Sequence, residues 1–205
     1  MNSVRNRPYT FIVSVAIITI VAATLASLHT GVPLRDPEGF LGPAYIRLPL
    51  IAALLFAIGL IPAAIQRSGW RNIPQGMIDV VKHEWTWKRV LYICTGFLAF
   101  YLCYVGYRNL KSVLPIYTDG VLYDEQLSQL DKWMFGGTNP AFVMQDFFGI
   151  GLSAEFLSII YLAYMPMIPL SIGVVLVLCR NLAKGAWFVT AISLNWVLGT
   201  ISYYA

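Results

Sequence analysis

The sequence predicts an all-α fold: a polytopic transmembrane helical bundle with short amphipathic interfacial helices. Three observations predict it. Of 205 residues, 58% are apolar and only 12% charged, whereas a soluble domain carries roughly 25% charge to stay dispersed. The apolar residues gather into runs long enough to cross a bilayer, with room for about five spans of ~20 residues. The connections between the runs hold nearly all the charge, and one of them shows helical periodicity of its own. The net charge of +4 is divided among short connections. It reads as a topology signal rather than a footprint for nucleic acid, and no nucleic-acid partner is expected.

The first span covers residues 10–28 and follows a basic stub with Arg5 and Arg7. Its apolar run exceeds the ~7–15 residues of a signal-peptide core, and further spans follow, so an uncleaved first helix is expected. After a polar connection with Pro33, Arg35, Asp36, Pro37, Glu38 and Pro43, a second span covers 48–65, with Pro62 near its end as a bend that membrane helices tolerate. The next connection is the most basic, with Arg67, Arg71, Lys82, Lys88 and Arg89 around His83. Within it Ile78, Val81 and Trp85 recur at helical spacing opposite Asp79, Lys82 and His83, which predicts an amphipathic segment in the headgroup layer anchored by Trp85 and Trp87. The third span covers 90–107. The stretch 108–150 carries Asp119, Asp124, Glu125, Asp131 and Asp146 against Arg108, Lys111 and Lys132. There Tyr123, Leu127, Leu130 and Met134 mark a short amphipathic helix that Gly136-Gly137 ends, and Asn139-Pro140 supplies a cap and first-turn proline for a second one closing near Gly149. A fourth span covers 152–178, with Pro166 and Pro169 inside it, followed by Arg180 and Lys184. A fifth begins near Trp187 and still runs at Ser202-Tyr203-Tyr204-Ala205, so the chain is expected to stop partway through a membrane helix.

The basic connections, namely the N-terminal stub, 66–89 and 179–186, belong in the cytoplasm by the positive-inside rule. The N-terminus is then cytoplasmic, and the 30–46 loop, the acidic 108–150 stretch and the end of the fifth span lie outside, in a multi-pass protein of the plasma (inner) membrane.

Few residues carry chemistry. Arg108 and Lys111 sit three apart where the third span reaches the outer face, a spacing that puts both cations on one side of a helix and suits them to a phosphate. They are the substrate-binding candidates; an interfacial anchor is the plainer role. Glu155, at the start of the fourth span, pairs with Arg108 or simply sits at a helix N-terminus. Ala191, Asn195, Gly199 and Ser202 form a small, polar stripe that reads as a packing seam. Cys94, Cys103 and Cys179 are small residues within helices rather than a disulfide framework, and metal-ligand spacing is absent. His29 and His83 fall on opposite sides of the predicted membrane. No catalytic residue, cofactor or metal site is assigned.

The run Arg108-Asn109-Leu110-Lys111-Ser112-Val113-Leu114-Pro115, then Tyr123-Asp124, Leu127-x-x-Leu130-Asp131-x-x-Met134-Phe135-Gly136 and Asn139-Pro140, resembles the type 2 phosphatidic acid phosphatase superfamily, in the branch of the inositol phosphorylceramide synthases (the aureobasidin-resistance family). Asn195-Trp196 to Tyr203-Tyr204-Ala205 is similar to the span before the first catalytic motif there. The resemblance covers about residues 90–205, taken as the start of a phosphatase-like core after a two-span region at 1–89. It implies a lipid-phosphate phosphatase or phosphotransferase at the extracytoplasmic face, with membrane lipids as partners and a lipid phosphate or phosphodiester as substrate. It also implies metal-independent chemistry through a phosphohistidine, with a second histidine moving the proton. The Pro-Ser-x-His and His-x-x-x-Asp motifs of that family do not occur in this chain, nor does its basic Lys and Arg-Pro motif. The expectation is that both histidine motifs lie in a C-terminal part beyond Ala205, and that residues 1–205 alone are inactive. A non-catalytic membrane protein, such as a transporter subunit or assembly partner, is the alternative.

Overall fold

A computed structural model describes residues 9–37, 42–121, 123–179 and 181–204. Arg5, Arg7, Glu38, Arg180 and Ala205 lie outside the described residues. All regular structure described is helical: α1 Thr10–Thr30, α2 Ala44–Ser68, α3 Ile73–Glu84, α4 Trp87–Tyr117, α5 Asp124–Met134, α6 Pro140–Phe148, α7 Leu152–Gly173 continued by a π turn Val174–Leu178, and α8 Leu182–Tyr204. Among the described residues, α1, α2, α4 and α8 are long and apolar enough to cross a membrane. Leu152–Tyr164 and Pro166–Leu178 supply a fifth crossing if they form one broken span. The predicted polytopic bundle is therefore observed, and the protein is a multi-pass membrane protein.

The chain divides into two compact units, Met1–Leu114 with Pro169–Ala205, and Pro115–Ile168. In the first unit α1 shows how the sequence selects its faces. Ile12, Ala16, Thr19, Ala23 and Ala26 are buried, whereas Phe11, Ile18, Leu25 and Leu28 are 60–76% exposed. Small residues let backbones approach where helix meets helix, and large apolar ones turn outward to lipid, which solvates them as well as a core would. Helices α1 and α4 meet in this way. A Cβ on Gly106 would stand 2.6 Å from Thr19 Cγ2, and one on Gly96 would stand 2.6 Å from the Tyr9 hydroxyl. The π turn packs its Leu178 on Gly59 of α2, while Gly173 receives Leu55 and Ile51.

The apolar face predicted for α3 is exposed, the side a segment in the headgroup layer turns to lipid, whereas α8 packs by a face other than its predicted seam. In α3, Gly76 and Val80 are buried, while Ile78 and Val81 are 48% and 39% exposed. Gly76 lies against the Ala64 carbonyl of α2, where no larger residue fits. In α8 the buried residues are Gly185, Ala186, Val189, Ser193 and Thr200. Of the predicted seam, Ala191, Asn195 and Ser202 are exposed and Gly199 faces the Tyr107 ring, because the bulk of Trp196 and Val189 fills the interior better than an amide.

The second unit follows its local signals closely. Tyr117 is succeeded by a turn in which Asp119 and Gly120 take φ of 49° and 72°. Helix α5 stops at Gly136 and Gly137, whose φ of 64° and 89° suit glycine best. The Asn139 side chain then accepts from Ala141 N at 2.9 Å and starts α6.

Gly106→Ala is expected to lower the stability of the detergent-solubilised protein by about 1–3 kcal/mol, the usual cost of overpacking. Adding Thr19→Ser, which removes the opposing methyl, should restore part of the loss; thermal unfolding of the single and double variants measures both.

Candidate functional site

Helix α4 does not stop where its apolar run does. It continues through Arg108 and Lys111, both good helix formers, and through Asn109, whose amide is bonded, to Tyr117. At 100° per residue, Arg108 and Lys111 point about 60° apart, and Arg108 lies between the face of Asn109 and that of Lys111. Both sequence-predicted cations are exposed, and the three neighbouring positions face three different surroundings.

Asn109 is 7% exposed and fully bonded. Its Oδ1 accepts from Arg35 N at 2.9 Å, and its Nδ2 donates to Arg35 O at 2.9 Å and to Val105 O at 2.8 Å. The amide thus replaces the strand-like partner that the backbone of Arg35 lacks, and pins the connection between α1 and α2 to α4. Next along that connection, Asp36 accepts from the Tyr101 hydroxyl at 2.7 Å and from Ala44 N at 2.5 Å. The second bond satisfies a free N–H at the start of α2, where an acid also complements the helix dipole.

Lys111 faces α8. Its Nζ donates to the Tyr203 hydroxyl at 3.3 Å and stands 4.9 Å from the ring centroid, a cation–π contact of order 0.5–1 kcal/mol at an exposed site. Behind it the rings of Tyr107 and Trp196 lie 4.7 Å apart, those of Tyr104 and Trp196 5.3 Å. The Tyr204 hydroxyl donates to Leu110 O at 2.6 Å. Arg108 has no hydrogen bond or ion pair among the described residues. Arg47, half-buried in the first turn of α2, has its Nε closed off from solvent without a partner. This end of the first unit therefore holds Arg35, Arg47, Arg108 and Lys111, with Asp36 as the acid among its described residues. Such a surface attracts an anion and offers guanidinium forks to bind it.

The remaining candidates are spread along the chain. Glu155 sits in the first turn of α7, exposed, in the other unit. His29 ends α1 at the Arg35 end, and His83 closes α3 at the opposite end of the bundle with Nδ1 2.8 Å from Asp79 O. Cys94, Cys103 and Cys179 are free. Among the described residues no group of three His, Cys, Asp or Glu side chains could hold a metal.

The opposite end is built on other terms. Arg89 lies over the Trp85 ring at 4.6 Å and donates to Val177 O at 2.9 Å, placing a cation on the free carbonyls that end the π turn. Tyr92 accepts from Ala186 N at 3.1 Å at the start of α8, and Arg67 meets Glu84 at 3.6 Å. Here Arg67 and Arg89 are engaged by the fold, while Arg71, Lys82, Lys88 and Lys184 are exposed.

Sequence reasoning singled out Arg108 and Lys111, which the structure leaves exposed on α4, and did not single out the tie of Asn109 to Arg35 or the Asp36–Tyr101 pair. The signal was present for Asn109: Ala99, Cys103, Gly106 and Val113 are buried along one helical stripe, and Asn109 occupies the next inward position on it. A polar residue at such a place needs a partner.

Asn109→Ala, which leaves the Arg35 N–H and C=O unpaired, is expected to cost about 2–4 kcal/mol of stability. It should also open the 31–43 connection to protease in detergent, read by mass spectrometry of the cleavage products. No family model, curated protein or solved structure matches the chain.

Proposed function

We propose that the protein is a membrane lipid-phosphate phosphatase or phosphotransferase, inositol phosphotransferase-like, and that residues 1–205 supply the part that binds the lipid phosphate at the extracytoplasmic face. The observation that carries this reading is Arg108. It is an exposed guanidinium with no partner among the described residues, on the same side of α4 as Lys111, at the end of the bundle that holds three further cations or their backbones. An unpaired guanidinium beside a lysine held by Tyr203 is prepared for an oxyanion, and the location at a bundle end suits a headgroup. The resemblance of 108–140 to the phosphatidic acid phosphatase superfamily supports the same reading, as does the loop-charge rule, which puts this end outside and the N-terminus in the cytoplasm.

The chemistry implied needs two histidines at one face: one to attack phosphorus with its imidazole nitrogen and expel the leaving group, the other to move the proton. His29 and His83 stand at opposite ends. Residues 1–205 are therefore assigned binding and orientation, with Arg108 and Lys111 neutralising the phosphoryl oxygens. The same separation of the histidines favours the second reading, a non-catalytic multi-span membrane protein such as a transporter subunit or an assembly partner.

Protein purified from its native membrane and reconstituted in vesicles should release phosphate or exchange headgroups from a lipid phosphate, with Arg108→Gln lowering kcat/KM by about tenfold or more. Absence of either activity on a panel of lipid phosphates would leave the non-catalytic reading. Orientation has its own measurement. In a cysteine-free background, an impermeant maleimide added outside intact cells should label a cysteine at 108, and should reach one at 82 only after permeabilisation.

A further inference from the structure

We infer that Arg35, in the connection between the first two spans, is a further contact for the bound phosphate, set beside Arg108 by the side chain of Asn109. This deepens the headgroup-binding reading above and rests on it.

Both backbone polar groups of Arg35 are gripped by one buried amide, at 2.9 Å each. Two bonds to a single side chain fix the position of that residue and the direction of its chain, which one bond would not do. The gripping residue is the immediate neighbour of Arg108, ~3.8 Å along the chain. Asp36 adds a second tie to Tyr101 and a third to Ala44, so the stretch that carries Arg35 is bound to α4 and α2 at successive residues. The Arg35 side chain, in contrast, is exposed and makes no hydrogen bond or ion pair among the described residues. A fold that holds the backbone of an exposed arginine with a buried amide, and ties down the next residue through its carboxylate, has placed a charge.

Going round α4, the surface reads Arg35 over the face of Asn109, then Arg108, then Lys111 against Tyr203. The acid of this cluster, Asp36, has both carboxylate oxygens engaged. Hence Arg35 and Arg108 are free to share the oxygens of one phosphate group, with Lys111 bounding the other side. Guanidinium forks bind such oxygens in pairs, and a flexible ammonium does not reproduce that geometry. The shared chemistry is a phosphate group, borne by a lipid or free in solution.

The test is a titration of the full chain in maltoside micelles with dioctanoyl phosphatidic acid, dioctanoyl phosphatidylcholine and inorganic phosphate. Arg35→Gln should weaken phosphatidic acid binding by about tenfold, as Arg108→Gln does, with an unchanged unfolding midpoint because the side chain has no partner among the described residues. Arg35→Lys should lose less. Asn109→Ala should weaken binding in the parent protein but add nothing to Arg35→Gln, an epistasis that general loosening would not produce. Loss of binding in Arg108→Gln with full binding in Arg35→Gln would overturn the Arg35 contact and leave the headgroup reading standing. No binding of phosphatidic acid to the parent chain would remove both. Equal affinity for inorganic phosphate and phosphatidic acid would keep Arg35 as a contact and overturn the lipid as its source.

Discussion

Water is missing from the hydrocarbon layer, and the distribution of polar bonds in this protein follows from that. A hydroxyl within a span has no solvent to turn to, and several threonines resolve this locally, whereas the buried Ser193 hydroxyl is left without a partner among the described residues. Thr19 donates to Val15 O at 2.8 Å, Thr24 to Ile20 O at 2.8 Å, Thr95 to Leu91 O at 2.8 Å, and Thr190 to Ala186 O at 2.7 Å. Each stays on its own helix. Contact between helices in the middle of the bundle is then left to shape, as where Thr19 meets Gly106. Polar bonds that join different segments occur at the two ends, where Asn109, Asp36 and Tyr101 tie one side and Arg89 and Tyr92 the other.

The arginines that are engaged at the two ends are engaged differently. Arg89 is laid on a helix terminus and an indole ring, and Arg67 meets Glu84, so those cations complete the fold. At the Arg35 end the carboxylate of Asp36 is devoted to backbone and tyrosine, and the guanidinium of Arg108 has no partner among the described residues. The aromatic wall of Tyr107, Trp196 and Tyr203 adds a flat, partly polar surface of the kind found at the level of headgroups.

The sequence made the local features legible. Asn139 before Pro140 announces a helix start, and the Gly136-Gly137 pair a stop, because capping and left-handed backbone are decided within a few residues. The spans were legible for the same reason, being runs of one character. What escaped was set by distance along the chain. Asn109 meets Arg35 across 74 residues and Tyr101 meets Asp36 across 65, and no periodicity encodes such a meeting. The rotation of α8 also escaped. In α8 the small residues suggested a seam at Asn195, but filling volume with Val189 and Trp196 decided the packed side.

The separations along the chain also set an order of assembly during synthesis. Arg35 is made before Asn109, so the clamp can close as soon as the third span leaves the translocation machinery. Lys111 must wait for Tyr203, which lies 92 residues later. At roughly 5–20 residues per second the ribosome needs about 5–20 s to supply it. During that interval the lysine and the Leu110 carbonyl have neither tyrosine to bind. The cationic surface is thus pinned early by its loop and walled late by α8, and a nascent chain arrested between these events would carry the charges without the ring that holds one of them.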